Sequence, residues 1–130
     1  MDAYKTHGAF SWSELMTTDV DGARKFYSAL FGWTAKTMDM PGGPYTTCQV
    51  GDTSVAGMMK IPATASGMPP AWGCYVTVNN VEEAASKAVS LGGKVVMAPM
   101  DIPNVGRMAV IQDPQGACLS VIKYAMPASG

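Results

Sequence analysis

The stretch TTDVDGARKFYSALFGW, residues 17–33, has a second copy further along the chain, VNNVEEAASKAVSLGGK, residues 78–94. A single gapless offset pairs Thr18 with Asn79, Val20 with Val81 and Gly32 with Gly93. A match that keeps one offset over this length indicates an internal structural repeat, and its flanks must show what the repeated unit is.

Each copy predicts one amphipathic helix. The copies begin with a polar pair, Thr18-Asp19 or Asn79-Asn80, and an acid lies three residues after the first member of each pair, which is the spacing of a capping box. Glycine closes each copy, at Gly32 or Gly92-Gly93. The apolar faces expected from the helical period are Ala23, Phe26, Tyr27, Leu30 and Phe31 in the first helix and Val81, Ala84, Ala85, Ala88 and Val89 in the second.

Strand-like segments surround both helices in the same order. AFSWSELM (9–16) precedes the first helix and WGCYVTV (72–78) precedes the second. Three more strand-like runs follow each helix: TAKTMDM, YTTCQV and TSVAGMMKI in the first half, and KVVMAPM, RMAVIQ and ACLSVIKY in the second. Turn residues at Gly51-Asp52 and at Asp113-Pro114-Gln115-Gly116 join the last two strands of each half. Each half therefore predicts the order β-α-β-β-β.

These elements predict an α+β fold of two tandem βαβββ modules within one domain, residues 1–130. Module one covers 8–61 and module two covers 72–124, with PATASGMPPA (62–71) as the linker between them. One helix covers only one face of its sheet, so two modules side by side would enclose a concave surface. That surface is where we expect a ligand to bind.

Composition excludes several functional classes. The chain is 48% hydrophobic and 15% charged, which is typical of a globular protein, and its net charge of −1 gives no basic footprint for nucleic acid or anionic lipid. The start, MDAYKTHGAF, lacks the basic and apolar regions of a signal peptide, and no apolar run is long enough to span a bilayer. We therefore expect a cytoplasmic protein with neither nucleic-acid nor membrane partners.

The three cysteines, Cys48, Cys74 and Cys118, have no CxxC spacing. Each lies in an apolar stretch, where a free cysteine behaves as a small hydrophobic residue. We expect reduced thiols in the core.

The residues that carry the repeat resemble the vicinal oxygen chelate superfamily, which includes glyoxalase I, bleomycin-resistance proteins, fosfomycin-resistance enzymes and extradiol dioxygenases. The resemblance covers residues 8–124 and rests on the first helical copy and on GMM (57–59), YVTVNNVEEA (75–84) and LGGKVVMAPMDIPNVGRMAVIQDPQGACLSVI (91–122). It implies a cup-shaped mixed sheet closed by the two modules, and a homodimer. Within the superfamily the chain is most similar to a metal-lacking bacterial group named glyoxalase-like or hydroxylase proteins.

The resemblance also locates the positions at which metal-dependent members carry their ligands. Trp12, Ala56, Gly73 and Ser120 occupy those positions here, and none of them supplies the His, Gln or Glu ligand of those members. A divalent metal needs three or more convergent N, O or S ligands, and the only histidine, His7, lies in the N-terminal tail. We expect no bound metal and no cofactor.

Strand alternation selects the residues of the expected cup. Glu14 shares a strand face with Trp12, two residues before it, and the matching parity in module two selects Tyr75. Ser120 faces inward from the last strand, and further wall or rim positions come from alignment with the family. The candidate ligand-binding residues are Trp12, Glu14, Tyr45, Met58, Trp72, Tyr75, Arg107 and Ser120.

Two functions fit these residues. The first is metal-independent binding of a small apolar or aromatic molecule in a cup lined by aromatic and methionine side chains, with Glu14 as an anchor or as a solvated residue. The second is a glyoxalase-like lyase or isomerase that uses Glu14, with a raised pKa, as general base. A regulatory or interaction module is a third. We favour binding, because the sequence names neither a partner that orients the base nor an oxyanion donor set.

Overall fold

The order β-α-β-β-β is confirmed in both halves of the chain. The structure, a computed structural model, describes residues 1–40, 43–65 and 67–125, with Thr64 described in its backbone only. The first half contains β1 (Phe10–Thr17), α1 (Val20–Phe31), β2 (Thr34–Met40), β3 (Gly43–Val50) and β4 (Thr53–Lys60), followed by a 3-10 turn at Ala63–Ala65. The second half contains β5 (Ala71–Thr77), α2 (Val81–Ser90), β6 (Lys94–Ile102), β7 (Gly106–Gln112) and β8 (Cys118–Tyr124).

The first compact unit of the chain is Trp12–Gly73. Its strands lie in the order β2-β3-β4-β1, with β1 parallel to β4 and the other neighbours antiparallel. Side chains from one face of this sheet pack beneath α1 as a core. That core consists of Leu15, Cys48, Ala56 and Met58, against which Val20, Ala23, Tyr27 and Trp33 pack.

The second unit contains Met1–Ser11 and the chain from Cys74 onward. Its strands lie in the order β5-β8-β7-β6, with β5 parallel to β8. Its core beneath α2 is formed by Val78, Val81, Ala109 and Val121, with Ala84 and Ile111 packed against them. The N-terminal segment extends this unit, because the Gly8 N–H donates to the Thr77 carbonyl and the Thr77 N–H donates to the Ala9 carbonyl.

The N-cap of each helix is the second residue of the polar pair, Asp19 in α1 and Asn80 in α2. The Asp19 carboxylate accepts a hydrogen bond from the Gly22 N–H at 2.9 Å, and the Asn80 side chain accepts one from the Glu83 N–H at 2.9 Å. The expected capping-box role of Thr18 and Asn79 is therefore wrong by one residue. The expected C-terminal glycine is confirmed at Gly32, which adopts the left-handed conformation with φ of 75°.

The predicted apolar face of α1 is only partly buried. Tyr27 and Ala23 pack onto the core, but Phe26, Leu30 and Phe31 are 60%, 57% and 57% exposed. In α2, Val81 and Ala85 are buried as expected, whereas Val89 is exposed. Each helix therefore buries a thinner stripe than its run of apolar residues suggests.

The expectation of three core thiols is wrong for two of them. Cys48 is buried in the first core, but Cys74 and Cys118 are exposed, and all three are free. Burial raises the pKa of the Cys48 thiol, which keeps it protonated and unreactive.

Across the described ranges, neither helix has the length and apolarity that a membrane crossing requires.

The position of the cap in α1 can be tested by replacing its two polar residues separately. Asp19→Ala should lower the free energy of unfolding by about 1 kcal/mol, because it removes the acceptor for the Gly22 N–H. Thr18→Ala, one residue earlier and equally exposed, is the matched control and should change the stability by less than about 0.5 kcal/mol. Urea denaturation measures both, and a larger loss for Thr18→Ala would contradict the assignment.

Candidate functional site

The site is built on the sheet face of the first unit that points away from α1. Side chains alternate along β1, so Trp12 and Glu14 lie opposite Leu15, which is in the core. Strand register places Glu14 beside Gly57 of β4, and Gly57 beside Thr47 of β3. We call this surface the Glu14 face; its residues are Trp12, Glu14, Tyr45, Thr47, Val55, Gly57 and Met59.

A chain of hydrogen bonds joins three of the predicted site residues. The indole Nε1–H of Trp12 donates to the hydroxyl of Tyr45 at 2.9 Å. That hydroxyl in turn donates to Oε2 of Glu14 at 2.7 Å. This distance is that of a strong hydrogen bond between a hydroxyl and a carboxylate, so the Tyr45 hydroxyl is polarised from both sides.

Gly57 is what lets Tyr45 reach Glu14. Tyr45 lies on β3 and Glu14 on β1, so the phenol ring must pass over β4, the strand between them. It passes directly above Gly57, where a Cβ would overlap the ring and the hydroxyl of Tyr45. A glycine inside a strand marks such close approaches, and here it permits a side chain to cross a whole strand.

The burial of Glu14 makes these bonds energetically important. Glu14 is only 7% exposed. A carboxyl group removed from water is costly unless it is hydrogen-bonded, and a hydrogen bond to a charged group contributes about 1.5–3 kcal/mol. Every buried side-chain nitrogen and oxygen of the described residues has at least one hydrogen-bond partner, and for Oε2 of Glu14 that partner is the Tyr45 hydroxyl.

Two of the predicted site residues lie on the other side of this sheet. Met58 is paired with Leu15 in the register and is 1% exposed in the core beneath α1, so its expected place on the wall of the cup is corrected. Trp72 donates from Nε1 to the Tyr27 hydroxyl at 3.1 Å and packs edge-on against the rings of Tyr27 and Trp33. Both residues therefore stabilise the helix side of the unit.

In the second unit, Tyr75 and Ser120 are neighbours across β5 and β8. They lie on the face away from α2, because Val121, the next residue after Ser120, is in the α2 core. Tyr75 is buried, with its hydroxyl 4.0 Å from the sulfur of Met108, while Ser120 is half-buried. The strand parity predicted for these two residues is therefore confirmed.

Arg107 lies on the α2 side of its sheet. Its guanidinium binds the Glu82 carboxylate at 2.8 Å and the Asp101 carboxylate at 2.9 Å. The hydrogen bond from Arg107 holds the pKa of Glu82 below its ordinary value, and the two carboxylates raise the pKa of Arg107. Arg107 therefore joins α2 to the β6–β7 hairpin, and its expected place on the rim of the site is corrected.

His7 also has a structural role in the second unit. Its Nδ1 accepts the backbone N–H of Asn79 at 2.9 Å, which ties the N-terminal segment to the start of α2. A cavity of about 360 Å³ lies beside it, against the outer surface of α2. The other lining residues are Val78, Asn79, Asn80, Glu83, Ala84, Lys87, Ala88 and Leu91.

The residues of the Glu14 face do not fit a divalent metal. Glu14 is its one carboxylate, and its neighbours in the register and in the hydrogen-bond chain are glycine, tyrosine and tryptophan, which do not form a metal-ligand set. Among the described residues, no three His, Cys, Asp or Glu side chains are grouped closely enough to hold a metal ion. Ala56, at one of the family's ligand positions, points into the α1 core.

Sequence reasoning missed Gly57 and the bond between Tyr45 and Glu14. A glycine in the middle of the strand TSVAGMMK was the available signal, since glycine weakens a strand and needs a reason to be there. The contact itself depends on the register of three strands, which the sequence does not reveal.

The role of Gly57 can be tested with a double-mutant cycle. Gly57→Ala should cost about 2–4 kcal/mol of stability in the wild-type chain, because the new Cβ displaces the Tyr45 ring and breaks its bond to Glu14. In a Tyr45→Ala background the same change should cost less than about 1 kcal/mol. Gly73→Ala is the matched control, since its Cβ would meet only the Glu14 carbonyl at 3.9 Å. Equal costs in both backgrounds would show that Gly57 serves another purpose.

The ion pair of Glu82 predicts a pH effect. Because the pKa of Glu82 is lowered in the folded chain, the pair stabilises the protein above the ordinary glutamate pKa and this contribution is lost as the pH falls from about 5 toward 3. Glu82→Gln should therefore reduce the melting temperature slightly at pH 7 and leave it unchanged near pH 3, since the pair is exposed. Glu83→Gln, the neighbouring exposed carboxylate, should show no such difference between the two pH values.

Comparisons with known proteins agree with this architecture. The model of the Glyoxalase/Bleomycin resistance protein/Dioxygenase superfamily matches residues 9–121. The chain is 42% identical over 119 residues to "Putative glyoxylase CFP32" of Mycobacterium bovis, which covers 91% of this chain and 45% of that protein. It is 35% identical over 127 residues to "Anthracycline biosynthesis protein DauV" of Streptomyces sp. strain C5, which covers 88% of this chain and 46% of that protein.

The chain thus spans about half the length of these curated relatives. Its fold is similar to the crystal structure of methylmalonyl-CoA epimerase from Mycobacterium tuberculosis, with a TM-score of 0.65 and 16% identity over 92% of this chain and 89% of that one. The repeated βαβββ order, the fold and the match over nearly the whole chain lead to one conclusion. The chain belongs to the glyoxalase, bleomycin resistance protein and dioxygenase superfamily.

Proposed function

We propose that this chain binds a small, largely apolar organic molecule on the Glu14 face without the help of a metal. The observation that carries the proposal is a carboxylate that is 7% exposed and held by a tyrosine hydroxyl at 2.7 Å. Aromatic and methionine side chains supply apolar contact, and the carboxylate fixes the orientation of a ligand. This combination is typical of small-molecule sites.

Family membership supports this function at the level of class. The superfamily name includes bleomycin resistance proteins, and a relative with 35% identity is named for anthracycline biosynthesis. Bleomycin and anthracyclines are organic molecules with aromatic groups. We therefore expect a ligand of that general kind, bound within the cytoplasm by a homodimer of this chain.

A ligand screen by thermal shift tests the proposal. A compound that binds the folded chain should raise its melting temperature, since saturation at a hundred times the dissociation constant adds about 2.7 kcal/mol. Glu14→Gln should lower the affinity for compounds that donate a hydrogen bond by about tenfold. The affinity for purely apolar compounds should change by less than about threefold. Glu83→Gln, an exposed carboxylate in the second unit, is the matched control. If substitution of Glu14, Trp12 and Tyr45 left the affinity for every hit unchanged, the binding site would lie elsewhere.

A second candidate is proton transfer by Glu14, in a lyase or isomerase. The contact that favours it is again the Tyr45 hydroxyl, which orients the carboxylate as a general base requires. The name of a relative with 42% identity includes glyoxylase, which points to the same chemistry. Glu14 would take a proton from a carbon next to a carbonyl, the electron pair of the C–H bond would move to the carbonyl oxygen, and the proton would then return to the substrate.

Isotope exchange separates the two candidates. In D₂O, a base at Glu14 should introduce deuterium next to the carbonyl of a bound ligand, and Glu14→Gln should abolish this exchange while ligand affinity stays within about tenfold. A chain that only binds should give tight complexes with no deuterium uptake.

A further inference from the structure

We propose that Tyr45 is an internal stand-in for part of the ligand, and that the ligand is a neutral aromatic hydroxy compound whose hydroxyl replaces that of Tyr45 between Trp12 and Glu14. This inference rests on the proposed function, since it names the class of molecule bound on the Glu14 face. It is carried by the hydrogen-bond pattern around one oxygen atom and by the shape of the surface above one glycine.

The two groups around the Tyr45 oxygen select a hydroxyl. The Trp12 indole only donates, and the Glu14 carboxylate accepts, so the group between them must accept one hydrogen bond and donate another. A hydroxyl does both. A carbonyl or carboxylate cannot donate to Glu14, and an ammonium group cannot accept from Trp12.

The negative charge of Glu14 also favours a neutral hydroxyl on the ligand. Lys36 also lies on this side of the sheet, beside Thr47, but β3 and β4 separate its strand from β1. An anionic group placed directly beside Glu14 would therefore be repelled by the buried carboxylate. A neutral hydroxyl completes the same bonds without such a penalty.

The surface above Gly57 selects a flat ring. The phenol of Tyr45 lies flat above Gly57, in the space that the Cβ of any other residue would occupy, and we call this space the slot. A ligand that replaces the phenol would place its own ring there. Met59, two residues after Gly57 on β4, shares its face and adds an apolar side chain to it. An aromatic ring fits this slot because it is thin, apolar and rigid.

Tyr45 is well placed to compete with such a ligand. It is half-buried, and its hydroxyl is bonded to the carboxylate of Glu14, which is almost fully buried. A ligand hydroxyl that accepts from Trp12 and donates to Oε2 of Glu14 takes the position of the Tyr45 hydroxyl and must displace it. The hydroxyl of Tyr45 should therefore weaken the binding of hydroxy compounds, whereas a Tyr45 that bridged a ligand to Glu14 would strengthen it.

The proposal is tested by whether removal of the Tyr45 hydroxyl raises or lowers the affinity for a hydroxy compound. We would measure the binding of 2-naphthol and of 2-methoxynaphthalene, which has the same ring system but no hydroxyl proton, by isothermal titration calorimetry. The wild-type chain should bind 2-naphthol about tenfold more tightly than the ether, because only the naphthol can donate to Glu14. Tyr45→Phe keeps the ring and removes the competing hydroxyl. It should raise the affinity for 2-naphthol by about threefold to tenfold and change the affinity for the ether by less than about twofold.

Glu14→Gln and Trp12→Phe complete the series. Either change should reduce the preference for 2-naphthol over the ether to about threefold or less, because it removes the charged acceptor or the donor. Weaker binding of 2-naphthol by Tyr45→Phe would overturn the stand-in role, and so would a preference that survives the loss of Glu14. Both of those results would leave the proposed binding function intact, whereas a screen without any ligand for the wild-type chain would contradict the function itself.

A measurement on the wild-type chain keeps the proposal testable if Tyr45→Phe fails to fold. With ¹³C-labelled tyrosine, saturation with 2-naphthol should shift the Cζ resonance of Tyr45 toward that of a solvated phenol, because its bond to Glu14 is lost. The ether should leave this resonance in place. An unchanged Tyr45 resonance in the presence of bound 2-naphthol would overturn the proposal.

Discussion

The hydrogen bond from Tyr45 to Glu14 is the interaction on which the site depends. It supplies a hydrogen-bond donor from within the chain to a carboxylate that is almost fully buried. It requires β1, β4 and β3 to keep their register, since the phenol must cross β4 above Gly57. Secondary structure, register and one glycine therefore act together to form a single polar contact.

The fold was largely predictable because its signals are local. Strand alternation, the turn residues and the repeated helix copy each depend on neighbouring residues, and all eight strands were located within a residue or two at most ends. The predictions were wrong where the outcome depends on how elements pack rather than on neighbouring residues in the chain. Phe26, Leu30 and Phe31 follow the helical period of α1 but lie outside the narrow stripe that its sheet buries, and the caps depend on backbone geometry that shifts by one residue without a change in composition.

The site was predictable only in part, for a related reason. Parity along β1 correctly placed Trp12 and Glu14 on one face, because alternation within a strand is a local property. The assignments of Met58 and Arg107 relied on alignment with the family rather than on parity, and both side chains lie on helix-covered faces. The missing information was the pairing between strands, which alone brings Tyr45, Gly57 and Glu14 together.

The most direct test of this account is the hydrogen exchange of the Trp12 indole proton, followed by NMR. We predict that it exchanges slowly in the wild-type chain and that Tyr45→Phe accelerates it by at least about tenfold, because Tyr45 is its acceptor. The indole proton of Trp72, bonded to Tyr27, should keep its rate in the same variant. Equal exchange of the Trp12 proton in both proteins would contradict the hydrogen-bond chain, and with it the proposed site.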